Sequence, residues 1–544
     1  MPPIKSTLEK YDLDFLLRIA RAWEVEISQR DVKSARIDLA SRMAHKEHFQ
    51  NLLGGLDEPV KVAWQTLAGR GGRQTWSEFS RLNGEIRAFG AAARERENPD
   101  LNPISISESL WYSGLIGRAF FGGKGEPVEH AFIPDELMAF CEKPIVPQEK
   151  SSVRPAVNQS PRHIMRADTA LLDQLTDLLA ANRMQRELPE TIFRAWGKPQ
   201  RFMQSLLLAA NLINADRQPN VDTLKEFFST DRDRILHQLF QAWLSTREIN
   251  DLRMLPGLIC EGNWQNDPLV PRKLIIEILN QLEPGTWWSI SSLLSLVKEV
   301  NPDFQRPAGD YDSWFIRDTE TGTFLSGFAS WERVEGALLY YLLTGPLHWL
   351  SVVNLARGSS DGRFTAFQLV PQTCGMLHGE PPVVNIKENK HLKIKDVRLF
   401  VMPVGAPRML RYQVVRLGEL VLASPGETRC LLTVASLEKA AEQGLQLQQL
   451  LQLIEKEQPG GIPDGLKRLA ERWTRNGVEA GFERVTLLRF KDQSACTEFL
   501  KAAGARLKLE VLNPQTLLIA TSQQEGVRRL LAESGILADD EADV

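Results

Sequence analysis

Cysteine is scarce in this chain and unpaired. Its 544 residues include 5 cysteines: Cys141, Cys260, Cys374, Cys430 and Cys496, widely spaced and without a CxxC pair. That excludes a zinc ribbon and a disulfide framework and leaves reduced, buried thiols in a cytoplasmic protein as the expectation. Long apolar runs are missing as well. Leu206–Ala210 and Ala337–Leu343 fall far short of the ~18 residues a membrane helix needs. The opening Met1-Pro-Pro-Ile-Lys-Ser reaches Glu9 and Lys10 without the apolar core of a signal peptide. A soluble, cytoplasmic chain with no membrane partner is expected. Charge of one sign is not in excess either. The formal net charge is -4, so any nucleic-acid site must be a local patch. With 43% hydrophobic and 25% charged residues, the composition is that of a globular chain, and mainly disordered character is excluded. At about 100–200 residues per domain, the length fits roughly three or four domains.

Catalytic signatures are equally sparse. No GxxxxGK[ST] loop occurs: Gly69–Thr75 has no lysine, and Gly122-Gly-Lys-Gly125 has no hydroxyl residue after Lys124. Asp540-Glu-Ala-Asp543 spells a helicase string, but no hydrophobic strand precedes it. Gly358-Ser-Ser-Asp-Gly362 puts Ser360 in a GxSxG pattern, yet a nucleophile elbow needs a strand before the serine and a helix after it. Here a helix is expected before and a strand after, which reads as a polar turn. No HExxH appears. His45 and His48 could share a helix face, with no further ligand nearby in sequence. Asp539-Asp540 are tail charges, and Asp231 and Asp233 lie among arginines at a polar helix start. No catalytic residue, cofactor-binding residue or metal ligand is assigned, and a non-enzyme is expected.

The pattern of what is present gives a multidomain, mainly α chain with winged-helix units and a C-terminal α+β domain. Residues 1–142 read as a helical and winged-helix domain: two or three helices over Leu8–Leu53, a helix over Asp57–Ala68, a glycine turn, and a helix over Thr75–Phe89 with a Thr75/Glu78 capping box. A helix over Ser107–Leu115, an extended run over Val128–Ile133 and a helix opening at Pro134 follow. Residues 143–166, rich in proline and serine, read as a linker. Residues 167–270 read as a helical domain, with Leu171, Leu175, Leu178 and Leu179 on one face. Residues 271–380 read as a second winged-helix region, with Ser289 capping a helix to Val300, a helix over Trp331–Leu343, a short helix over Leu350–Ala356 and a wing strand over Phe364–Leu369. Residues 381–537 alternate strands (Pro382–Ile386, Val397–Val401, Arg411–Val415, Phe482–Phe490, Thr516–Ala520) with helices (Thr433–Gly444, Leu445–Glu457, Pro463–Asn476, Ser494–Ala503, Gln523–Ser534). Residues 538–544 form an acidic tail.

Two basic groups stand out as binding candidates. Arg70, Arg73, Arg81 and Arg87, continued by Arg94 and Arg96, could contact phosphates from a winged helix. Interleaved Glu78, Glu85, Glu95 and Glu97 fit a salt-bridged surface equally well. Arg408, Arg411 and Arg416 surround the expected strand Arg411–Val415, where edge protection is the alternative. The 13 tryptophans sit mostly in apolar helical contexts, where core packing is their ordinary role.

A family likeness enters at Arg411-Tyr-Gln-Val-Val-Arg-Leu417. It continues through Thr433-Val-Ala-Ser-Leu-Glu-Lys-Ala-Ala-Glu-Gln-Gly444, Ile462-Pro-Asp-Gly-Leu-Lys-Arg-Leu-Ala-Glu-Arg-Trp473, Val485-Thr-Leu-Leu-Arg489 and Leu517-Leu-Ile-Ala520. This arrangement resembles the amino-terminal, helicase-associated domain of XPB-type DNA helicases. Trp331–Leu350 is similar to the segment preceding this domain in bacterial helicase-associated proteins, and Glu108–Ile116 and Phe132–Leu137 are similar to their front half. Winged helices followed by such a module are also similar to the clutch-bearing subunit of the general transcription factor TFIIH, which grips the XPB helicase. The family's ATPase lobes have no counterpart here. The resemblance implies an accessory that binds DNA, a helicase or another protein partner, by strand-edge or helix-face pairing around Arg411–Val415 and Phe482–Phe490, with Arg411, Tyr412, Arg416 and Trp473 as docking residues and no cofactor. A pure protein scaffold, and an enzyme of unrecognised kind, are the rival expectations.

Overall fold

Leu13–Ala22 forms helix α1, started by Asp12, whose carboxylate accepts the Phe15 N–H at 2.9 Å. It is one of four short helices opening the chain, with Ile4–Leu8, Val32–Met43 and Lys46–Gly55, one more than the longest expectation. This is a computed structural model, and it describes residues 1–28, 31–122, 127–142, 152–306, 310–360, 362–383, 387–388, 390–424, 426–482, 484–504, 507 and 509–539. Within them the chain is mixed α/β and mostly helical, its strands gathered into small antiparallel sheets. It divides into two compact units, Met1–Ala440 and Ala441–Val544.

After the opening helices come α2 (Glu58–Gly69), β1 (Arg73–Thr75), α3 (Trp76–Asn83), α4 (Ile106–Tyr112), β2 (Gly117–Phe121) and β3 (Val128–Phe132). The three strands form one sheet in the order β1-β3-β2. The Thr75/Glu78 capping box is not formed. Thr75 makes no side-chain cap bond, because residues 73–75 extend to pair with Phe132–His130 and Glu78 turns to Arg70. The Gly122–Gly125 turn falls largely outside the described residues.

The expected linker needs correction. Residues 143–151 lie outside the description, but the rest is built into a sheet. Ala156 donates to the Trp287 carbonyl at 2.8 Å, and Ser289 donates to the Arg154 carbonyl at 3.0 Å. The Gln159 side-chain amide donates to the Trp287 carbonyl at 2.9 Å and accepts the Trp287 N–H at 3.0 Å, imitating a strand backbone. The chain then forms β4 (His163–Met165), paired with Leu355–Arg357. Proline and serine in this segment mark an extended strap rather than a free connector.

Helix α5 (Ala170–Arg183) is buried on every side, its aspartates included. Helices α6 (Val221–Ser229) and α7 (Arg232–Ser245) follow, then β5 (Leu258–Glu261), α8 (Leu269–Leu279), β6 (Trp287–Ser289), α9 (Ile290–Val300) and β7 (Phe315–Asp318). Ser289 caps α9 as expected, accepting the Ser292 N–H at 3.2 Å. A long helical stretch centred on α10 (Ala337–Leu342) carries π-turns at Glu332–Gly336 and Leu343–Leu347. Pro346, inside the second, has no N–H for the helical ladder. Strands β8 (Val353–Arg357) and β9 (Phe364–Leu369) complete a sheet ordered β4-β8-β9-β6. The helix expected over Leu350–Ala356 is therefore mostly strand. Val352 and Val353 favour extended backbone, and pairing with β9 satisfies their neighbours. Two passes of this unit, residues 58–132 and 269–369, each open with helix, strand, helix and close with a helix and two strands; the first also holds a short helix at Ala91–Glu97 and the second also holds β7. In both the last strand, β3 or β9, lies between the opening strand, β1 or β6, and the strand before it, β2 or β8.

The first unit ends with β10 (Lys393–Lys395), β11 (Leu399–Pro403), α11 (Arg408–Leu417), β12 (Glu419–Ala423) and β13 (Glu427–Leu431), the sheet running β10-β11-β13-β12. Arg411–Val415 is helix, not strand. Pro407 precedes its first turn, and Leu410, Val414 and Leu417 recur at helical spacing, all buried. It packs on α5. Residues 381–440 thus fold with the first unit, and the α+β module expected over 381–537 is divided. Pro382–Ile386 lies mostly outside the described residues.

The second unit holds α12 (Leu447–Glu457), α13 (Asp464–Asn476), β14 (Val485–Arg489), α14 (Gln493–Ala503), β15 (Glu510–Asn513), β16 (Thr516–Ala520) and α15 (Gln524–Glu533). Its sheet runs β14-β16-β15. Phe499 and Cys496 of α14, with Val527 and Leu531 of α15, cover Leu517 and Ile519 to make its core.

Candidate functional site

The arginines singled out in the first unit do not gather into one row. Arg70, just past α2, meets Glu78 at 2.7 Å. Arg81 leaves α3 for Asp303 at 2.8 Å and lies over the Phe328 ring at 4.6 Å. Arg87 forks onto Glu108, with donor distances of 2.7 and 2.9 Å. Arg94 pairs with Asp12 and, at 3.4 Å, with Asp14 near the start of α1. Arg96 meets Glu97 at 2.9 Å. Arg73 alone of the six faces a ring instead of a carboxylate: it is exposed, with Phe121 at 5.5 Å. Helix α4 is covered as well. Trp111 packs edge-on against Tyr11 at 5.6 Å and Phe15 at 6.1 Å, and Tyr112 stacks on Phe15 at 5.0 Å.

The two repeated passes share a buried ionic clip. Glu108, near the start of α4, is enclosed and binds Arg87 from the preceding connector. Glu335, just before α10, is enclosed and binds Arg306 from its own preceding connector at 2.6 Å. Burial pushes the Glu108 carboxyl up, but Arg87 and the N–H groups of Ile104 and Arg87 outweigh it and hold this group below the ordinary glutamate range. For Glu335 burial wins over Arg306 and Gln305, and its carboxyl is raised.

The second arginine group is interior. Arg411 forks onto Asp177 of α5 at 2.7 and 2.8 Å and donates to the Thr428 hydroxyl at 2.7 Å. Burial opposes its charge, yet Asp177 and Asp173 raise its pKa further. Arg408 binds Glu388 and donates to the Phe227 carbonyl at 2.8 Å and the Thr230 carbonyl at 2.6 Å. Arg232 of α7 forks onto Asp173, one helical turn from Asp177, at 2.9 Å twice. A buried charge left unpaired is costly, so these contacts fix α5, α7 and α11 together. Arg411 has no surface to offer a partner. Its docking and strand-edge expectation gives way to a positioning role.

Tyr412 and Arg416 line a cavity of about 210 Å3 between α6 and α11, with Arg183 and Lys225. Phe228 packs on the Tyr412 ring at 5.1 Å. Trp473 belongs to the second unit, half-buried on α13.

That second unit carries an open surface on β14, within the Phe482–Phe490 run expected to pair with a partner. Both α14 and α15 lie on one face of its sheet. On the other face Val485 is 44% and Leu487 51% exposed, beside half-buried Leu518. Leu512, at the β15 irregularity, is 58% exposed. Arg484, Arg489 and Lys491 are exposed along β14 and its ends.

His45 and His48 stand with ring centroids 6.1 Å apart, and no group of three or more possible metal ligands occurs among the described residues. Ser360 sits in a turn between β8 and β9, so strands flank it on both sides. Trp23, Trp64, Trp243 and Trp331 are fully buried, each donating its indole N–H to a protein oxygen. No helix among the described residues is long and apolar enough to cross a membrane. No family model matches this chain, and no curated protein matches it.

Proposed function

We propose that this chain is a non-catalytic docking protein. Its second unit engages a protein partner through the open sheet face around Leu487, and a helicase of the type implied by the XPB resemblance is the first partner to test. Residues 58–132 and 269–369 are read as two winged-helix units that serve as a rigid frame. The shared helix, strand, helix opening, with the last strand paired between the opening strand and the one before it each time, supports that reading. The observation that carries the function is the apolar face itself. Val485, Leu487 and Leu512 are solvent-exposed on a three-stranded sheet whose strands β14 and β16 are closed on the other side by two helices, and exposed apolar surface gathered in one place is characteristic of interaction sites.

The first-unit arginines favour a frame over a groove reader, since all of the six but Arg73 meet carboxylates. The test is pull-down on immobilised full-length protein after nuclease treatment, comparing wild type with Val485→Asp/Leu487→Asp. Recovery of a helicase by the wild type and its loss in the double variant, with an unchanged melting curve, supports the proposal. Equal recovery by both proteins removes the face from it.

A second reading, DNA binding by the first unit, rests on exposed Arg73 beside β2. Arg70→Ala/Arg73→Ala would then weaken duplex binding and make its salt dependence shallower. Unchanged affinity and slope would exclude those residues.

A further inference from the structure

The strap over residues 152–166 reaches both edges of one sheet. Residues 154–156 bond along β6 at one edge, and β4 is the strand at the other. Residues 157–162 therefore cross from edge to edge, a path of about 20 Å for extended chain. The crossing starts at Ala156, which packs on the face that holds Ala356 and Ala366. Between the strap, that face and α9 lies a groove of about 650 Å3. Arg154 stands on its strap wall and Arg357 on its sheet wall. Register places His163 and Phe364 beside Arg357, which brings Arg162 and Arg363, one residue before each, to its flanks. Arg154, Arg162 and Arg363 are exposed and Arg357 is half-buried. Arg357 lies over the Phe364 ring at 5.6 Å and Arg363 over the Tyr340 ring at 4.0 Å. None of the four pairs with a carboxylate among the described residues, whereas Arg70, Arg81, Arg87, Arg94 and Arg96 all do. Glu299, the one acid lining the groove among the described residues, is not free itself and forms no ion pair with these four. On the wall formed by α9, Ser291, Ser292 and Ser295 supply hydroxyls. Ser292 accepts the Arg154 N–H at 2.8 Å, which leaves its own hydrogen to donate.

We propose that this groove binds a single strand of nucleic acid by its phosphates, held by Arg154, Arg162, Arg357 and Arg363 with the α9 serines as further donors. Cations gathered without counter-charge draw a polyanion, and their spread across the sheet suits a chain of phosphates better than one free anion. Guanidinium forks match phosphate oxygens bidentately. The floor is alanine, which offers no deep apolar pocket to anchor a peptide side chain. Walls on three sides admit one strand and exclude the breadth of a duplex. No aromatic side chain lines the groove among the described residues, so affinity comes from the backbone rather than from stacking and is indifferent to base sequence. The proposal goes beyond the docking function and uses none of its residues.

Fluorescence anisotropy on the full chain tests it, with a labelled oligothymidylate of about 15 nucleotides as probe. Saturable binding with a Kd of about 10 μM or tighter at low salt is expected, its logarithm changing with the logarithm of salt by about 0.7 for each phosphate held. Arg154→Ala/Arg357→Ala should weaken binding at least about tenfold and make that slope shallower by about 1.4. Arg154→Glu/Arg162→Glu changes only exposed side chains and should weaken binding as much with the melting curve unchanged. Arg194→Glu/Arg201→Glu makes the same charge change at exposed positions outside the groove and should cost less than about threefold. Oligocytidylate of equal length should bind within about threefold of the thymidylate. Four results each overturn the proposal. They are equal weakening by the Arg194/Arg201 pair, an equal loss of duplex affinity in the groove variants, displacement of the probe by inorganic phosphate at matched phosphate concentration, and tighter binding of a phosphoserine peptide than of the oligonucleotide.

Discussion

At the residue scale, much of the arginine is spent inward. Arg411 is the sharpest case, because its bidentate contact joins α11 to a carboxylate 234 positions earlier in the chain. Arg411→Ala would leave Asp177 buried opposite nothing, and urea unfolding should report a loss of about 3–5 kcal/mol. Glu108 makes a prediction of opposite visibility, in pH. Its pKa is depressed in the folded protein, so its stabilising contribution is present above the ordinary glutamate range and is lost as pH falls through the lower folded value. Melting temperatures recorded from neutral pH downward should fall less steeply in that acid window for Glu108→Gln than for wild type, from a lower neutral starting point. An identical acid slope in both proteins would assign the acid sensitivity elsewhere. Glu335, raised by its burial, acts in the contrary direction.

At the element scale, the alternation of helices and short strands was largely legible. Ser289 announced α9, Gly444 closed the preceding helix, and the apolar spacing of Ser494–Ala503 became α14 almost to the residue. The failures have one physical origin. Tyr-Gln-Val-Val reads as strand by local preference, but Pro407 before it and the apolar residues at 410, 414 and 417 set a helical frame, which packing on α5 and the pairing of Arg411 with Asp177 then hold. Thr75 and Glu78 have a capping spacing, but β3 recruits the first and Arg70 the second. The sheet around Leu487 was half legible: the sequence marked β14 and β16 as strands and Phe482–Phe490 as a pairing run, but not that α14 and α15 would share one side. The strap over residues 152–166 gives this scale its own test. Gln159 substitutes its side-chain amide for a backbone pair at Trp287. Gln159→Ala should raise the hydrogen-exchange rate of the Trp287 amide and the rate of proteolysis near residues 152–162. Unaltered exchange there would mean that the backbone bonds of Ala156 and Ser289 suffice to hold the strap.

At the scale of the whole molecule, the division after Ala440 separates two cores that each close on themselves. The runs expected to form one α+β module fall on both sides of it, with Arg411–Leu417 in the first unit and Ile462–Trp473 in the second. A chain of residues 441–544 expressed alone should melt cooperatively, because Phe499, Leu517, Ile519 and Val527 make a core without help from the first unit; a gradual, non-cooperative loss of ellipticity would refute that independence. The strap also sets an order of events. The Ala167 N–H finds its acceptor in Asn354, 187 positions downstream, and such distant closures are slow to form. On the ribosome, residues 152–166 emerge and wait, hydrated, while the remainder of their sheet is still being translated, so the first half of this protein cannot finish folding until well past its middle has been made.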